Sequence, residues 1–106
     1  MGENIVELTD AKFDDFISKG NVIIDFWAEW CGPCKILSPV VEELAKENKQ
    51  IKFGKVDVDS QGDLAQRFEV LSIPTLIFFK NGEMVNRIAG AMPKDALKKE
   101  IASSFK

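Results

Sequence analysis

The chain has 106 residues and 45% of them are hydrophobic, so we expect one domain, over residues 1–106, that buries its own core. Its net charge of −3 comes without a block of lysines or arginines, which excludes the electrostatic surface that a nucleic-acid partner requires. The chain has no histidine, so it cannot build a Ser-His-Asp triad, a Cys-His nucleophile pair or a histidine-ligated metal site.

Apolar stretches are short throughout the sequence. The longest unbroken apolar run is Leu76–Phe79, far shorter than the roughly 20 residues that a membrane-spanning helix needs. The N-terminal residues have neither the basic segment nor the long apolar segment of a secretion signal. We therefore expect a cytoplasmic protein that does not bind membranes.

The first half of the sequence alternates between strand-like and helix-like segments. Ile5–Leu8 predicts a short strand, and a helix follows between residues 9 and 20. Asn21–Trp27 is rich in Val, Ile and Phe with Asp25 as its only charged residue, which is typical of a central strand covered on both faces. From Pro33 onward the apolar positions recur with a period near 3.6, which predicts a long amphipathic helix.

The second half continues the alternation and then changes. Ile51–Asp57 predicts another strand, and Ser60 with Asp63 has the spacing of a capping box that begins a short helix. Asn81-Gly82 between two strand-like runs is typical of a β-hairpin, and Pro93 begins the last helix. The predicted order is βαβαβα, then a hairpin, then a helix. This order indicates an α/β fold with helices on both faces of a mixed sheet.

Both cysteines lie at the junction between the predicted central strand and the long helix. Cys31 and Cys34 are three residues apart, and helical side chains at this spacing have Cβ atoms about 5–6 Å apart. A disulfide needs a Cβ separation of roughly 3.5–4.5 Å, so the pair can close one with little backbone movement. A C-x-x-C pair beside a βαβ pattern is typical of a redox-active dithiol. Two alternatives stay open: a structural cysteine pair, and a zinc site in which two chains share four thiolates.

The sequence around the cysteines resembles that of thioredoxins. Segment 27–35, Trp-Ala-Glu-Trp-Cys-Gly-Pro-Cys-Lys, matches the active-site stretch of that family. Asp25 matches its buried acid, Ile73-Pro74-Thr75 matches the loop whose proline is cis, and Gly90 matches its late glycine. The resemblance implies the thioredoxin fold, a mixed five-stranded central sheet of order 1-3-2-4-5 with four flanking helices.

The two cysteines are expected to have different roles. Cys31 is expected to attack substrate disulfides, because unsatisfied N–H groups and the helix dipole at its end of the helix favour a thiolate. Cys34 is expected to resolve the resulting mixed disulfide.

The resemblance also implies a docking surface for substrate around the cysteines, with Trp30 as a mere packing residue as the alternative. The expected members of this surface are Trp30, Gly32, Pro33, Ile73, Pro74, Gly90 and Ala91.

Asp25 is difficult to explain by packing, because an ionised carboxylate in a covered strand carries a large desolvation cost. Burial should raise its pKa, and Lys55, if it pairs with Asp25 from the neighbouring strand, should oppose that rise. We expect Asp25 to take the proton of Cys34, directly or through water, when Cys34 attacks. The alternatives are an Asp25 at an edge, solvated by a gap, and a solvated Lys55 without a role.

Two functional hypotheses follow from these residues. Gly32-Pro33 offers no imidazolium to stabilise a Cys31 thiolate, which favours a reductant over an oxidase or isomerase. The first hypothesis is an enzyme, a monomeric protein-disulfide reductase that binds no cofactor and no metal. It would act on disulfide-bearing client proteins and be recycled by a thioredoxin reductase that draws on NADPH or a comparable donor. The second hypothesis is a thioredoxin-fold binding module with incidental redox activity.

Overall fold

The structure is a computed structural model that describes residues 4–106, so the first residues considered for a secretion signal lie outside the described range. The described residues form five strands and four helices in the predicted order. In chain order these are β1 (Ile5–Glu7), α1 (Asp10–Ile17), β2 (Asn21–Trp27), α2 (Gly32–Glu47), β3 (Ile51–Asp57), α3 (Gly62–Arg67), β4 (Thr75–Lys80), β5 (Glu83–Ala89) and α4 (Lys94–Ser104).

The five strands form one mixed sheet of order β1-β3-β2-β4-β5. Strands β1, β3 and β2 run parallel, whereas β4 is antiparallel to β2 and β5 is antiparallel to β4. The predicted fold class is therefore confirmed, with β2 at the centre of the sheet. This position explains the continuous apolar pattern of β2, because its residues 22–26 are buried under helices on both faces.

The alternation of side chains along β2 divides the core into two clusters. Val22 and Ile24 face α1 and α3, where Phe13 is fully buried. Ile23 faces the opposite side and packs with Leu37 of α2, in a cluster that also includes residues of α4. Asp25 has the same parity as Ile23. The pleat of β2 therefore directs its one carboxylate to the face that α2 covers.

Two local predictions from the second half of the sequence have opposite outcomes. The hairpin at Asn81-Gly82 is confirmed, with φ angles of 50° and 87°, the left-handed values that a tight two-residue turn requires. The capping box at Ser60 is wrong, because the N-cap of α3 is Gln61 and it makes no side-chain capping bond. The Ser60 hydroxyl instead donates to the carbonyl oxygen of Asp57 over 3.5 Å, in the turn that follows β3.

Gly54 of β3 lies close to Leu8 and to Phe16 of α1. A Cβ atom at this position would lie 2.7 Å from Cδ1 of Leu8 and 3.0 Å from the ring of Phe16. We expect Gly54→Ala to lower the free energy of unfolding by about 1–3 kcal/mol, because Leu8 is itself buried and cannot move aside freely. Chemical denaturation measures the change.

Gly62→Ala is the matched control for this substitution. Gly62 is exposed at the start of α3, and a Cβ atom there would meet nothing within 4 Å. We expect no loss of stability, and a gain of up to about 1 kcal/mol from the less flexible unfolded chain. Equal effects of the two substitutions would show that packing around Gly54 is not the cause.

Candidate active site

The cysteines lie at the turn between β2 and α2. The backbone of Cys31 is extended, with φ −86° and ψ 111°, and this residue is the N-cap of α2. Pro33 lies in the first turn of the helix, where its missing N–H group leaves no hydrogen bond unmade. Cys31 and Cys34 form the disulfide that their spacing allows, with Cα atoms 5.3 Å apart. In this state neither sulfur is a thiolate that could bind zinc.

The two sulfurs differ in their position on the helix, although both cysteines are only 4% exposed. The N–H group of Cys34 donates to Sγ of Cys31 over 3.1 Å, so this sulfur is a side-chain cap of the helix. The positive end of the helix dipole also lies at the N-cap. The environment of Cys31 therefore favours negative charge on its sulfur once the disulfide is reduced.

The loop before β4 lies against the disulfide. The Ile73-Pro74 peptide bond is cis, as the family resemblance implied. The carbonyl oxygen of Ile73 lies 3.8 Å from Sγ of Cys31, and the carbonyl oxygen of Pro74 accepts the N–H of Gly90 at 2.8 Å. These contacts bring two distant loops to one side of the cysteines.

The residues expected to dock substrate differ in their exposure. Trp30 is 69% exposed, which contradicts a packing role, and its Nε1 donates to Oδ2 of Asp59 over 2.8 Å. Gly32, Pro33 and Ala91 are exposed, and Ile73 and Gly90 are half-buried, whereas Pro74 is buried. The bond to Asp59 holds the indole in one orientation, and the sequence pattern did not reveal this partner.

Asp25 is a buried carboxylate in the central strand. It is 8% exposed and lies opposite Lys55 in the register of β2 and β3, so the alternative of an acid at an edge of the sheet is wrong. Among residues 4–106, its Oδ1 atom has no hydrogen-bond partner. Desolvation by burial raises the pKa of Asp25 from its ordinary 3.8 to about 7, and the charge of Lys55 partly opposes this rise.

Lys55 is also buried, at 6% exposure, which contradicts the alternative of a solvated lysine. Its Nζ atom lies over the ring of Trp27, 5.1 Å from the centroid, where the face of the indole attracts a cation. Lys55 is therefore held against the indole, and its charge acts on the neighbouring carboxyl of Asp25. A cation at this place stabilises the ionised form of Asp25.

A cavity of about 280 Å³ adjoins the two buried charges. Asp25, Cys34 and Lys55 line it from the sheet and the helix start, and Ser38 lines it from α2. Ser38 was not among the predicted site residues, although it follows Cys34 by four residues and this spacing places both side chains on one face of a helix. The part of the chain that the structure describes has no group of three Cys, Asp or Glu side chains suited to a metal ion.

Comparison with known proteins gives a consistent result. The family model for thioredoxin matches residues 4–103. A thioredoxin of Staphylococcus saprophyticus is 50% identical over 98 residues, which cover 92% of this chain and 94% of that protein. A bifunctional thioredoxin reductase/thioredoxin of Mycobacterium leprae is 47% identical over 92% of this chain and 22% of its own length. The solved N21Q mutant thioredoxin from Halobacterium salinarum superposes with a TM-score of 0.89 at 39% identity, covering 97% and 92% of the two chains.

A disulfide at the first turn of a helix, next to a cis-proline loop and above a buried acid, defines a thiol-disulfide oxidoreductase. The chain belongs to the thioredoxin family. It is a protein-disulfide reductase, and its redox centre is the disulfide of Cys31 and Cys34. The relatives thus favour the enzyme over the binding-module hypothesis.

None of the helices within residues 4–106 is long and apolar enough to cross a membrane.

Proposed function

We propose that Cys31 attacks the client and Cys34 resolves the intermediate. The Cys31 thiolate attacks one sulfur of a client disulfide, forms a mixed disulfide and releases the other client sulfur as a thiolate. Cys34 then attacks Sγ of Cys31, which breaks the bond to the client and forms the Cys31–Cys34 disulfide. The client gains two electrons and the protein loses two. The observation that carries this assignment is the N–H group of Cys34, 3.1 Å from Sγ of Cys31 at the helix start.

Asp25 is the proton acceptor for Cys34 in this mechanism, directly or through water. A pKa of about 7 means that both protonation states are populated at neutral pH, so the carboxylate can accept a proton and return it when the reaction reverses. Lys55 acts through Asp25, because its charge limits how far burial raises the pKa of that carboxyl. Asp25 and Cys34 line the same cavity, which supports this pairing.

The docking surface accepts an extended segment of the client. Its exposed members are Trp30, Gly32, Pro33 and Ala91, its half-buried members are Ile73 and Gly90, and Pro74 is buried. A strand-like segment can form backbone hydrogen bonds with Ile73, whose carbonyl lies 3.8 Å from Sγ of Cys31. Such main-chain recognition is compatible with many client sequences.

Recycling requires a reductase for the Cys31–Cys34 disulfide. The name of the Mycobacterium leprae relative joins a thioredoxin reductase and a thioredoxin in one protein, which supports a thioredoxin reductase as the partner here. This partner would draw on NADPH or a comparable donor. We further propose that the protein is a cytoplasmic monomer. Two core clusters on the faces of a single sheet support one domain over residues 1–106.

Selective alkylation tests the assignment of the two cysteines. We expect substoichiometric iodoacetamide at neutral pH to label Cys31 of the reduced protein first, because only its sulfur lies at the N-cap. Peptide mapping by mass spectrometry identifies the labelled cysteine. The Cys31→Ser variant is the control, and its remaining thiol should react more slowly. Preferential labelling of Cys34 in the unmodified protein would overturn the assignment.

A further inference from the structure

Helix α3 ends in a turn that contains one strained residue. The N–H of Glu69 donates to the carbonyl oxygen of Gln66 over 3.1 Å, and the N–H of Val70 donates to that of Ala65 over 2.8 Å. These two bonds define a Schellman motif, in which the residue after the C-cap adopts a left-handed backbone. Glu69 is that residue, with φ 52°, where glycine is usual because a Cβ atom makes this conformation costly. Such a residue persists only where contacts from outside the helix hold it.

Arg87 of β5 supplies such a contact. Its Nη1 atom donates to the carbonyl oxygen of Phe68 over 2.5 Å, and its Nη2 atom donates to that of Glu69 over 2.7 Å. The planar guanidinium is shaped for two donations at once, and hydrogen bonds from a charged donor are stronger than neutral ones. A cation beside the last carbonyls of a helix also complements the helix dipole. Arg87 therefore ties the end of α3 to an edge strand of the sheet.

The segment after this turn leads directly to the docking surface. Residues 70–73 connect the turn to Pro74, whose carbonyl oxygen accepts the N–H of Gly90 over 2.8 Å. Gly90 directly follows β5. The segment is therefore attached to β5 at both ends, by a side chain at its start and by a backbone N–H at its end. Ile73, the docking residue of the segment, lies between the two attachments.

We propose that Arg87 is a positioning residue for client docking. It holds residues 70–73 in the geometry in which the backbone of Ile73 can pair with an extended client segment beside Sγ of Cys31. The inference rests on the proposed docking surface. Because the bonds of Arg87 go to the backbone of the loop and not to the cysteines, it affects how a protein client binds and not how reactive the thiols are.

Four variants separate the contacts of Arg87 from the surface that they support. Arg87→Ala removes both donations, whereas Arg87→Lys keeps the charge but lacks the planar pair of donors. Val85→Ala is the matched control, because it shortens an exposed side chain of the same edge strand. Ala91→Glu adds bulk and charge to an exposed member of the docking surface, so it reports whether that surface binds the client.

Single-turnover oxidation of the reduced protein by insulin, followed by tryptophan fluorescence, gives the maximal rate and the insulin concentration at half that rate. We expect both Arg87 variants to raise this half-saturating concentration at least about threefold and to keep the maximal rate within about twofold. Their rate constants with 5,5′-dithiobis(2-nitrobenzoate) should equal that of the unmodified protein, because this small disulfide has no backbone to pair with Ile73. Val85→Ala should match the unmodified protein in both reactions.

Hydrogen–deuterium exchange measures the segment itself. Arg87→Ala should speed amide exchange in a peptide that covers residues 69–73 by at least about tenfold and leave the exchange of β2 unchanged. Faster exchange in β2 as well would show a general loss of stability and contradict a positioning role.

The outcomes distinguish this inference from the proposed docking surface. Ala91→Glu should raise the half-saturating insulin concentration. If it does and Arg87→Ala matches the unmodified protein, the role of Arg87 is wrong while the docking surface stands. If Ala91→Glu has no effect on insulin, both proposals fail.

Two further results would contradict the role of Arg87. Normal docking by Arg87→Lys would show that the paired donation is not needed. Equal slowing of the reactions with insulin and with the small disulfide would show that Arg87 acts on the thiols or on the fold as a whole. Arg87→Lys serves in every comparison if Arg87→Ala does not fold.

Discussion

Replacing Cys31 with serine is expected to reduce the rate of insulin disulfide reduction to that of the uncatalysed reaction with the chemical reductant. A serine hydroxyl at neutral pH cannot supply the thiolate that attacks a disulfide, and Cys34 lies a turn inside the helix without the N-cap position. The turbidity of precipitating insulin chains measures the rate.

Cys34→Ser is the matched partner of this variant. It retains the attacking thiol but cannot resolve the mixed disulfide, so turnover should also be lost after a single round of attack. Activity that survives in Cys31→Ser would exclude Cys31 as the essential nucleophile. An inactive unmodified protein would favour the binding-module hypothesis.

Asp25→Ala is expected to stabilise the oxidised protein at pH 8 and to slow its turnover when reduced. The folded state raises the pKa of Asp25 from 3.8 to about 7, so it prefers the protonated form. The resulting penalty is absent below pH 4, grows between pH 4 and 7, and is complete above pH 7, where it amounts to about 4 kcal/mol. Loss of packing around the new alanine offsets part of this gain.

Urea denaturation of oxidised Asp25→Ala and unmodified protein at several values between pH 5 and pH 9 tests this expectation. The difference in free energy of unfolding should increasingly favour the variant as the pH rises, because only the unmodified protein has the carboxylate to ionise. Asp15→Ala, at an exposed position of α1, is the control and should show no comparable trend. A variant that is less stable than the unmodified protein at pH 8 would contradict a buried, destabilising Asp25.

The chemistry at the centre of the site could be predicted from short-range patterns. Spacing alone placed Cys31 and Cys34 within disulfide reach, and the apolar residues on both sides of Asp25 in β2 indicated that Asp25 would be buried. The first prediction depends only on helical spacing, and the second depends only on helices covering both faces of one strand. The cis bond at Ile73-Pro74 was different, because only a small fraction of X-Pro bonds are cis and the residues themselves do not reveal which. The family resemblance supplied it.

Features that depend on how distant segments pack could not be predicted in this way. Trp30 and Asp59 are 29 residues apart in the sequence. Their hydrogen bond forms because β2 and β3 are parallel neighbours in the sheet, so the loops that follow them leave the same edge side by side. The cavity likewise depends on how α2 lies over β3, which no periodicity in the sequence determines. Ser60 is not the cap because α3 begins one residue later than predicted, after Gln61, and the Ser60 hydroxyl donates to the carbonyl oxygen of Asp57.

The division of labour between the cysteines is tested most directly by trapping the intermediate with the client. Reduced Cys34→Ser is mixed with excess insulin, free thiols are blocked, and the cross-linked peptides are mapped by mass spectrometry. We predict a stable mixed disulfide between Cys31 and an insulin cysteine, and no comparable adduct for Cys31→Ser. A mixed disulfide that accumulates instead through Cys34, in the Cys31→Ser variant alone, would contradict the mechanism.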